Sequence, residues 1–252
     1  MIKQWVRQGL RSLGWDIIRY DPQPPIPPDF DELVAETVRS VRMFTQTSPE
    51  RIYSLCNAVR YLVANGIPGA IVECGVWKGG SMMAAARTLL QLGERNRQLF
   101  LYDTFEGMPP PGEFDVDYTG AHATAVQAQL GAGRPDFRWN YVPVEEVRQA
   151  VLSVGYPSEH IHLVKGRVED TLPSQAPERI ALLRLDTDWY ESTRHELVTL
   201  YPRIPQGGVL IVDDYGHFAG AKKAVDEYLH EHHVRMLLHR IDYTGRIGVV
   251  PS

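Results

Sequence analysis

The feature that most narrows the fold is an alternation that begins at Ala70, where short apolar runs take turns with longer amphipathic segments. Ala70 to Cys74, Leu99 to Tyr102, His160 to Val164, Ile180 to Leu185 and Gly208 to Val212 are brief and apolar. Runs of that length suit strands buried on both faces. Between them, Ser81 to Leu92, Ala121 to Leu130, Val144 to Val154, Ser192 to Tyr201 and Ala221 to His233 have helical spacing. Such alternation predicts an α/β fold of βαβ units with a mostly parallel sheet. Met236 to Ile241 and Arg246 to Val250, joined through Tyr243-Thr244-Gly245, then predict an antiparallel pair at one edge, for seven strands in all. Ligands of these sheets sit beyond the carboxyl ends of the strands, near the switch point. The residues just after each strand therefore carry the functional reading.

Upstream, Phe30 to Arg42 reads as a helix with Asp29 available as its cap, and Ser48-Pro49 opens a second helix that Gly66 stops. In MIKQWVRQGLRSLGWDIIRY, Ile2, Trp5, Val6, Leu10, Leu13 and Ile17 fall near one helical face. That face is expected to dock on the domain or on another copy in a homo-oligomer, in preference to a membrane surface. The prolines of DPQPPIPPDF, Asp21 to Phe30, force an extended connector. The expected division is 1–43 for N-terminal helices and connector, with an oligomer or lid role, and 44–252 for the catalytic domain.

Composition sets the outer bounds. With 252 residues, 44% apolar and 23% charged, the chain has the balance of a globular protein with a real core. A net charge of −5 argues against a general nucleic-acid binder. Cys56 and Cys74 provide no disulfide framework and no zinc spacing, so a reducing cytoplasm is the expected home. No apolar run approaches the ~20 residues of a membrane span. Lys3, Arg7, Arg11 and Arg19 interrupt any signal-peptide core.

After the first strand come Glu73-Cys74-Gly75-Val76-Trp77-Lys78-Gly79-Gly80-Ser81, whose glycines let the backbone turn sharply and approach a ligand. Alone, this is as readily a plain strand-to-helix turn. Asp103 follows the second strand, placed to accept from ribose hydroxyls. A nicotinamide dinucleotide would prefer G-x-G-x-x-G, but Trp77 occupies the second glycine position and Glu73 would face the phosphates. A nucleoside with a positive charge and no phosphate fits better, and S-adenosylmethionine is that molecule. Asp186 and Asp188 end the fourth strand, and Asp213 and Asp214 end the fifth. Four like charges at one sheet edge are costly without a cation. All-oxygen ligation selects Mg²⁺, with Mn²⁺ or Ca²⁺ as substitutes. The bland alternative is helix capping, by Asp188 or Glu191 for the helix from Ser192.

The blocks ECGVWKGGS, LYDTFEGMPPP, KGRVEDTLP, LRLDTDWYEST and GGVLIVDDYG, in this order, resemble the macrocin/mycinamicin O-methyltransferase family between about Phe44 and Leu229. The resemblance implies a Rossmann-like class I methyltransferase fold. It also implies S-adenosylmethionine- and Mg²⁺-dependent methylation of a sugar hydroxyl on an antibiotic or related glycoside. Carried over by position, Glu73, Gly75 and Val76, in one loop with Cys74 and Trp77, would hold the methionine part, with Thr45 nearby. Asp103, Thr104, Phe105, Glu106 and Gly107 would take ribose and adenine, flanked by Glu169 and Asp170. Metal ligands would be Asp186, Asp213 and Asp214, and Asp188 the general base. Two places depart from the family's pattern: Arg167-Val168 stand where it favours aromatics, and Thr187 where Gly is commoner.

The chemistry is coherent. A cation that chelates vicinal hydroxyl oxygens lowers their acidity barrier, and a carboxylate accepts the proton as oxygen attacks the sulfonium methyl. His217 is an alternative base. Lys222 and Lys223 read as a solvated helix start, and His230, His232 and His233 as surface. Met108 to Gly120 reads as a lid, with Phe114 and Tyr118 on an apolar aglycone. The rivals are a catechol methyltransferase, a nicotinamide-dependent oxidoreductase and a non-catalytic binding protein.

Overall fold

Residues 26–251 are described by the structure, a computed structural model. The amphipathic helix expected over the first twenty residues, and most of the proline connector, lie outside them. The chain divides into Met1–Phe30 and Asp31–Ser252. In the first unit the described residues make a turn, in which the Phe30 N–H donates to the Pro27 carbonyl at 3.2 Å. The second unit begins before residue 44, so the helix after Asp31 belongs with the sheet.

That helix, α1 (Glu32–Val41), starts later than its pattern predicts, because Asp31 and not Asp29 is the cap: its Oδ1 accepts from the Val34 N–H at 3.1 Å. α2 (Pro49–Ala64) starts as expected, with Ser48 accepting from the Arg51 N–H at 3.2 Å. β1 (Ala70–Cys74), α3 (Gly80–Gln91), β2 (Leu99–Asp103), α4 (Ala123–Gly131), α5 (Val144–Leu152) and β3 (Ile161–Lys165) follow. Then come α6 (Val168–Thr171), β4 (Ile180–Leu185), α7 (Tyr190–Leu200), β5 (Val209–Val212), α8 (Ala219–Glu231), β6 (His239–Arg240) and β7 (Arg246–Val249). The seven strands form one sheet in the order β3-β2-β1-β4-β5-β7-β6. β1 to β5 run parallel, and β7 is antiparallel to both β5 and β6. This is the mostly parallel sheet with an antiparallel edge that the alternation predicts. Only His239 and Arg240 of the longer expected strand pair, because the Ile241 N–H turns to the Gly245 carbonyl at 2.9 Å inside the connecting turn.

Alternation along the strands sends side chains to opposite faces. Val72, Cys74, Leu183, Leu185, Leu210 and Val212 pack with Leu197, Leu200, Val225 and Tyr228 of α7 and α8. Each such buried aliphatic contributes about 1.5–3 kcal/mol. Ile71, Glu73, Leu182, Arg184 and Ile211 point to the other face, where α2 lies against β4 and α3 packs on α2. The register then levels the strand ends. Cys74 pairs with both Tyr102 and Leu185, and Leu185 pairs with Val212. Gly75, Asp103, Asp186 and Asp213 consequently emerge side by side at the switch point between β1 and β4. Gly75 is needed there: its φ is +83°, and a Cβ would overlap the Asp186 carbonyl.

The stretch from Met108 to Gly120 is tied down. Asp115 is fully buried, and its carboxylate accepts from the Tyr190 N–H at 2.8 Å and the Gly112 N–H at 2.6 Å. The Ala219 N–H donates to the Val116 carbonyl at 2.8 Å. One loop thereby caps the starts of both α7 and α8, which is why both helices begin two residues before their sequence pattern does. Phe114 packs edge-on against Tyr190 at 4.9 Å, beneath Lys223. Among the described residues no helix is long and apolar enough to cross a membrane.

Candidate active site

A cavity of about 290 Å³ opens beyond the carboxyl ends of β1, β2, β4 and β5. One half is built from backbone. Asp103 Oδ2 accepts from the N–H groups of Val76 (2.7 Å) and Trp77 (3.1 Å), and Oδ1 from that of Phe105 (2.7 Å). The Thr104 hydroxyl also lies 3.4 Å from Oδ1 but gives its proton to the nearer Gly107 carbonyl, so of the about four lone-pair directions of a carboxylate one remains for a hydroxyl of a ligand. Trp77 (φ +49°) and Phe105 (φ +51°) are both left-handed. For bulky residues that costs roughly 1–3 kcal/mol each, and the same Asp103 bonds hold the two N–H groups in place. Thr104 Oγ1 donates to the Gly107 carbonyl at 2.7 Å and closes the turn.

The other half is ionic. Arg184, near the carboxyl end of β4 and 3% exposed, donates to Glu73 at 2.7 Å and Asp186 at 2.6 Å, and also pairs with Asp213. Its Nη2 reaches Thr47 Oγ1 at 3.1 Å. Arg51, from the first turn of α2, pairs with the other oxygen of Asp213 and with Asp242 at 3.0 Å. Strand period and register make this network: Glu73, Arg184 and Asp213 share one face at adjacent strand ends. Asp186, Asp188 and Asp214 each bring one oxygen within 4.8 Å of the others.

Burial pushes Glu73 up to about 7 against the pull of Arg184. Burial also raises Asp188 to about 7, with Asp186 and Asp213 adding repulsion and the Asp214 hydrogen bond opposing it. Asp186 and Asp214 are driven well above the ordinary carboxylate range by burial and by their acidic neighbours. Asp188 sits at φ +68°, a conformation that Asp tolerates better than most residues.

Of the residues singled out by sequence, Thr45, Gly75, Val76, Trp77, Asp103, Thr104, Gly107, Glu169, Asp186, Asp188, Asp213, Asp214 and His217 line the cavity. Others do not. Glu73 lies behind it on Arg184, and the Cys74 side chain points into the core on the opposite face. Phe105 is 3% exposed and packed away, while Glu106 turns outward to Lys165 at 2.8 Å. Asp170 is likewise outside the lining. Burial lowers the pKa of His217, whose Nδ1 lies 3.0 Å from the Tyr243 hydroxyl. Lys222 and Lys223 pair with Asp226 and Glu227 along their own helix, as a solvated face would.

Arg51, Arg184, Thr47, Trp139, Asn140 and Tyr243 were not anticipated as parts of this site. Arg184 carried a signal: a lone charge inside Ile180 to Leu185 must find acids in the interior. Trp139 and Asn140 arrive from a loop far along the chain and carried none.

Residues 37–247 match the macrocin-O-methyltransferase (TylF) family. The chain is 34% identical over 201 residues, 80% of its length and 73% of the relative, to 8-demethyl-8-(2,3-dimethoxy-alpha-L-rhamnosyl)-tetracenomycin-C 4'-O-methyltransferase of Streptomyces olivaceus. It is 33% identical, over the same shares of each chain, to demethyldecarbamoylnovobiocin O-methyltransferase of Streptomyces niveus. Among solved structures, the O-methyltransferase NovP superposes with a TM-score of 0.71 at 31% identity, covering 83% of both chains.

Proposed function

The chain belongs to the macrocin-O-methyltransferase (TylF) family and is an O-methyltransferase, and we propose that it methylates a sugar hydroxyl of a glycosylated natural product, with S-adenosylmethionine as donor and Mg²⁺ as a bound cation. The name of the Streptomyces olivaceus relative, which describes methylation at the 4' position of a rhamnosylated compound, supports the acceptor class. Asp103, with its spare acceptor direction, and the turns it staples at Val76-Trp77 and Phe105 suit the nucleoside. S-adenosylmethionine would supply the electrophilic methyl group, and Mg²⁺ would lower the pKa of the hydroxyl it binds.

The observation that carries the cation is the Asp186–Asp214–Asp188 chain. Three carboxyl oxygens within 4.8 Å of one another repel unless protons or a cation lie among them, and a cation takes that place at neutral pH. Among the described residues, Arg184 and Arg51 pair with Glu73, Asp186 and Asp213, and Asp188 and Asp214 make no ion pair. The donor set is all oxygen, as a hard divalent ion requires. Asp186 and Asp214 would be ligands with Asp213 as the third, its oxygens keeping lone pairs beside the guanidinium bonds. Asp188 takes the proton of the acceptor hydroxyl on a carboxylate oxygen. A pKa near neutrality suits that role. A second reading makes Asp188 the third ligand, because its oxygen and not that of Asp213 lies in the 4.8 Å trio.

The test is incubation with S-adenosylmethionine and Mg²⁺ over rhamnosyl and related glycosides beside simple catechols, read by mass spectrometry. Methylation of the glycosides, abolished by EDTA and restored by Mg²⁺, is expected. Methylation of the catechols alone would overturn the acceptor class, and full activity in EDTA the cation.

A further inference from the structure

Behind the acids, a contact that the proposed chemistry does not use sits under the turn that carries them. Thr187, between Asp186 and Asp188, directs its hydroxyl at Glu196 of α7, with Oγ1 3.0 Å from Oε1 and 3.2 Å from Oε2. Glu196 is fully buried. Among the described residues it makes no ion pair, and the charged groups that act on it, Glu169 and Asp186, repel it. A buried carboxyl without a counter-charge is expensive, and an apolar side chain would fill the same space at no such cost. Its donor is the Thr187 hydroxyl.

That hydroxyl belongs to the first residue of a tight turn centred on Asp188. The Trp189 N–H donates to the Thr187 carbonyl at 2.8 Å, and Asp188 between them is left-handed. Side-chain direction at Asp188 depends on that backbone conformation, and a β-branched residue with few rotamers is a stiff peg for it. We propose that Thr187 and Glu196 form a lock that fixes the Asp186–Trp189 turn and so aims Asp188 at the acceptor, with Glu196 as a positioning residue. This rests on the assignment of Asp188 given above.

The full-length chain and its Thr187→Val, Thr187→Ser, Glu196→Leu and Glu196→Gln variants test it by four readouts: hydrogen exchange at the Trp189 amide without ligand, Mn²⁺ affinity, S-adenosylhomocysteine affinity and melting temperature. Thr187→Val and Glu196→Leu are expected to speed exchange and weaken Mn²⁺ by about tenfold each, the equivalent of one hydrogen bond. S-adenosylhomocysteine affinity stays unchanged. Thr187→Ser and Glu196→Gln keep a donor and an acceptor and behave as wild type. Thr187→Val strands the Glu196 carboxyl and should lower the melting temperature; the double variant Thr187→Val/Glu196→Leu removes that carboxyl, so its melting temperature recovers relative to Thr187→Val while the turn stays loose. Wild-type exchange at Trp189 in Thr187→Val, or an equal loss of S-adenosylhomocysteine binding, overturns the lock. If the wild-type chain binds no Mn²⁺, the cation assignment fails separately and the exchange data still decide the lock.

Discussion

The two halves of the cavity are built on opposite principles. Around Asp103, one carboxylate is answered by the backbone N–H groups of Val76, Trp77 and Phe105, and the half is complete as it stands. Around Asp214, carboxylates outnumber the guanidiniums that face them, and Asp186, Asp188 and Asp214 crowd within 4.8 Å. The first half is organised before any ligand arrives. The second is poised for positive charge. The nucleoside and the cation proposed for the two sides of this one pocket would therefore be held by different physics.

Breaking the acidic half is expected to have the largest effect. Asp188→Asn keeps the shape and left-handed tolerance of the residue but removes the proposed base. It should lower kcat by ~10²–10⁴-fold with S-adenosylhomocysteine affinity unchanged by calorimetry. A normal kcat would pass the base role to His217. Arg184→Met removes the counter-charge and leaves Glu73, Asp186 and Asp213 buried together. Denaturant unfolding should show a loss of about 3–5 kcal/mol.

Breaking the backbone-built half costs less. Asp103→Ala strands the N–H groups of Val76, Trp77 and Phe105, and should weaken S-adenosylhomocysteine by about 1–3 kcal/mol while Mn²⁺ binding persists. A change of pH sharpens the comparison further. Glu73 and Asp188 hold protons in the folded state up to about 7, whereas the unfolded chain releases them near 4.5 and 3.8. The folded state then binds more protons between those values, so stability should fall as pH rises from about 4 to 7. Saturating Mg²⁺ should flatten the Asp188 part of that slope, and Glu73→Gln the remainder. A rising slope would contradict both assignments.

The strand ends were legible in the sequence because each acid follows an apolar run, and parallel register does the rest: Leu185 beside Cys74 and Val212 levels Asp186 with Gly75 and Asp213. The antiparallel edge was legible from the turn between its strands. What stayed hidden depends on contacts distant in sequence. Asp115 caps α7 from 75 residues away, and no local pattern foretells that a buried carboxylate in a Pro/Gly-rich stretch will start a helix. Arg51 reaches Asp213 across 162 residues, from a helix whose own pattern shows only a good cap. Cys74, Phe105 and Glu106 were grouped with the site by sequence adjacency. Strand alternation sends the Cys74 side chain to the other face, and the left-handed turn at Phe105 buries that ring while Glu106 faces solvent.

The most direct measurement is a calorimetric titration of Mn²⁺ into the full chain saturated with S-adenosylhomocysteine, repeated on Asp186→Asn and Asp214→Asn. One cation site is expected in the wild-type chain. It should be lost or severely weakened in both variants, with S-adenosylhomocysteine still bound by each. No Mn²⁺ binding in the wild type, or the same binding in all three chains, would contradict the account of the acidic half as a cation site.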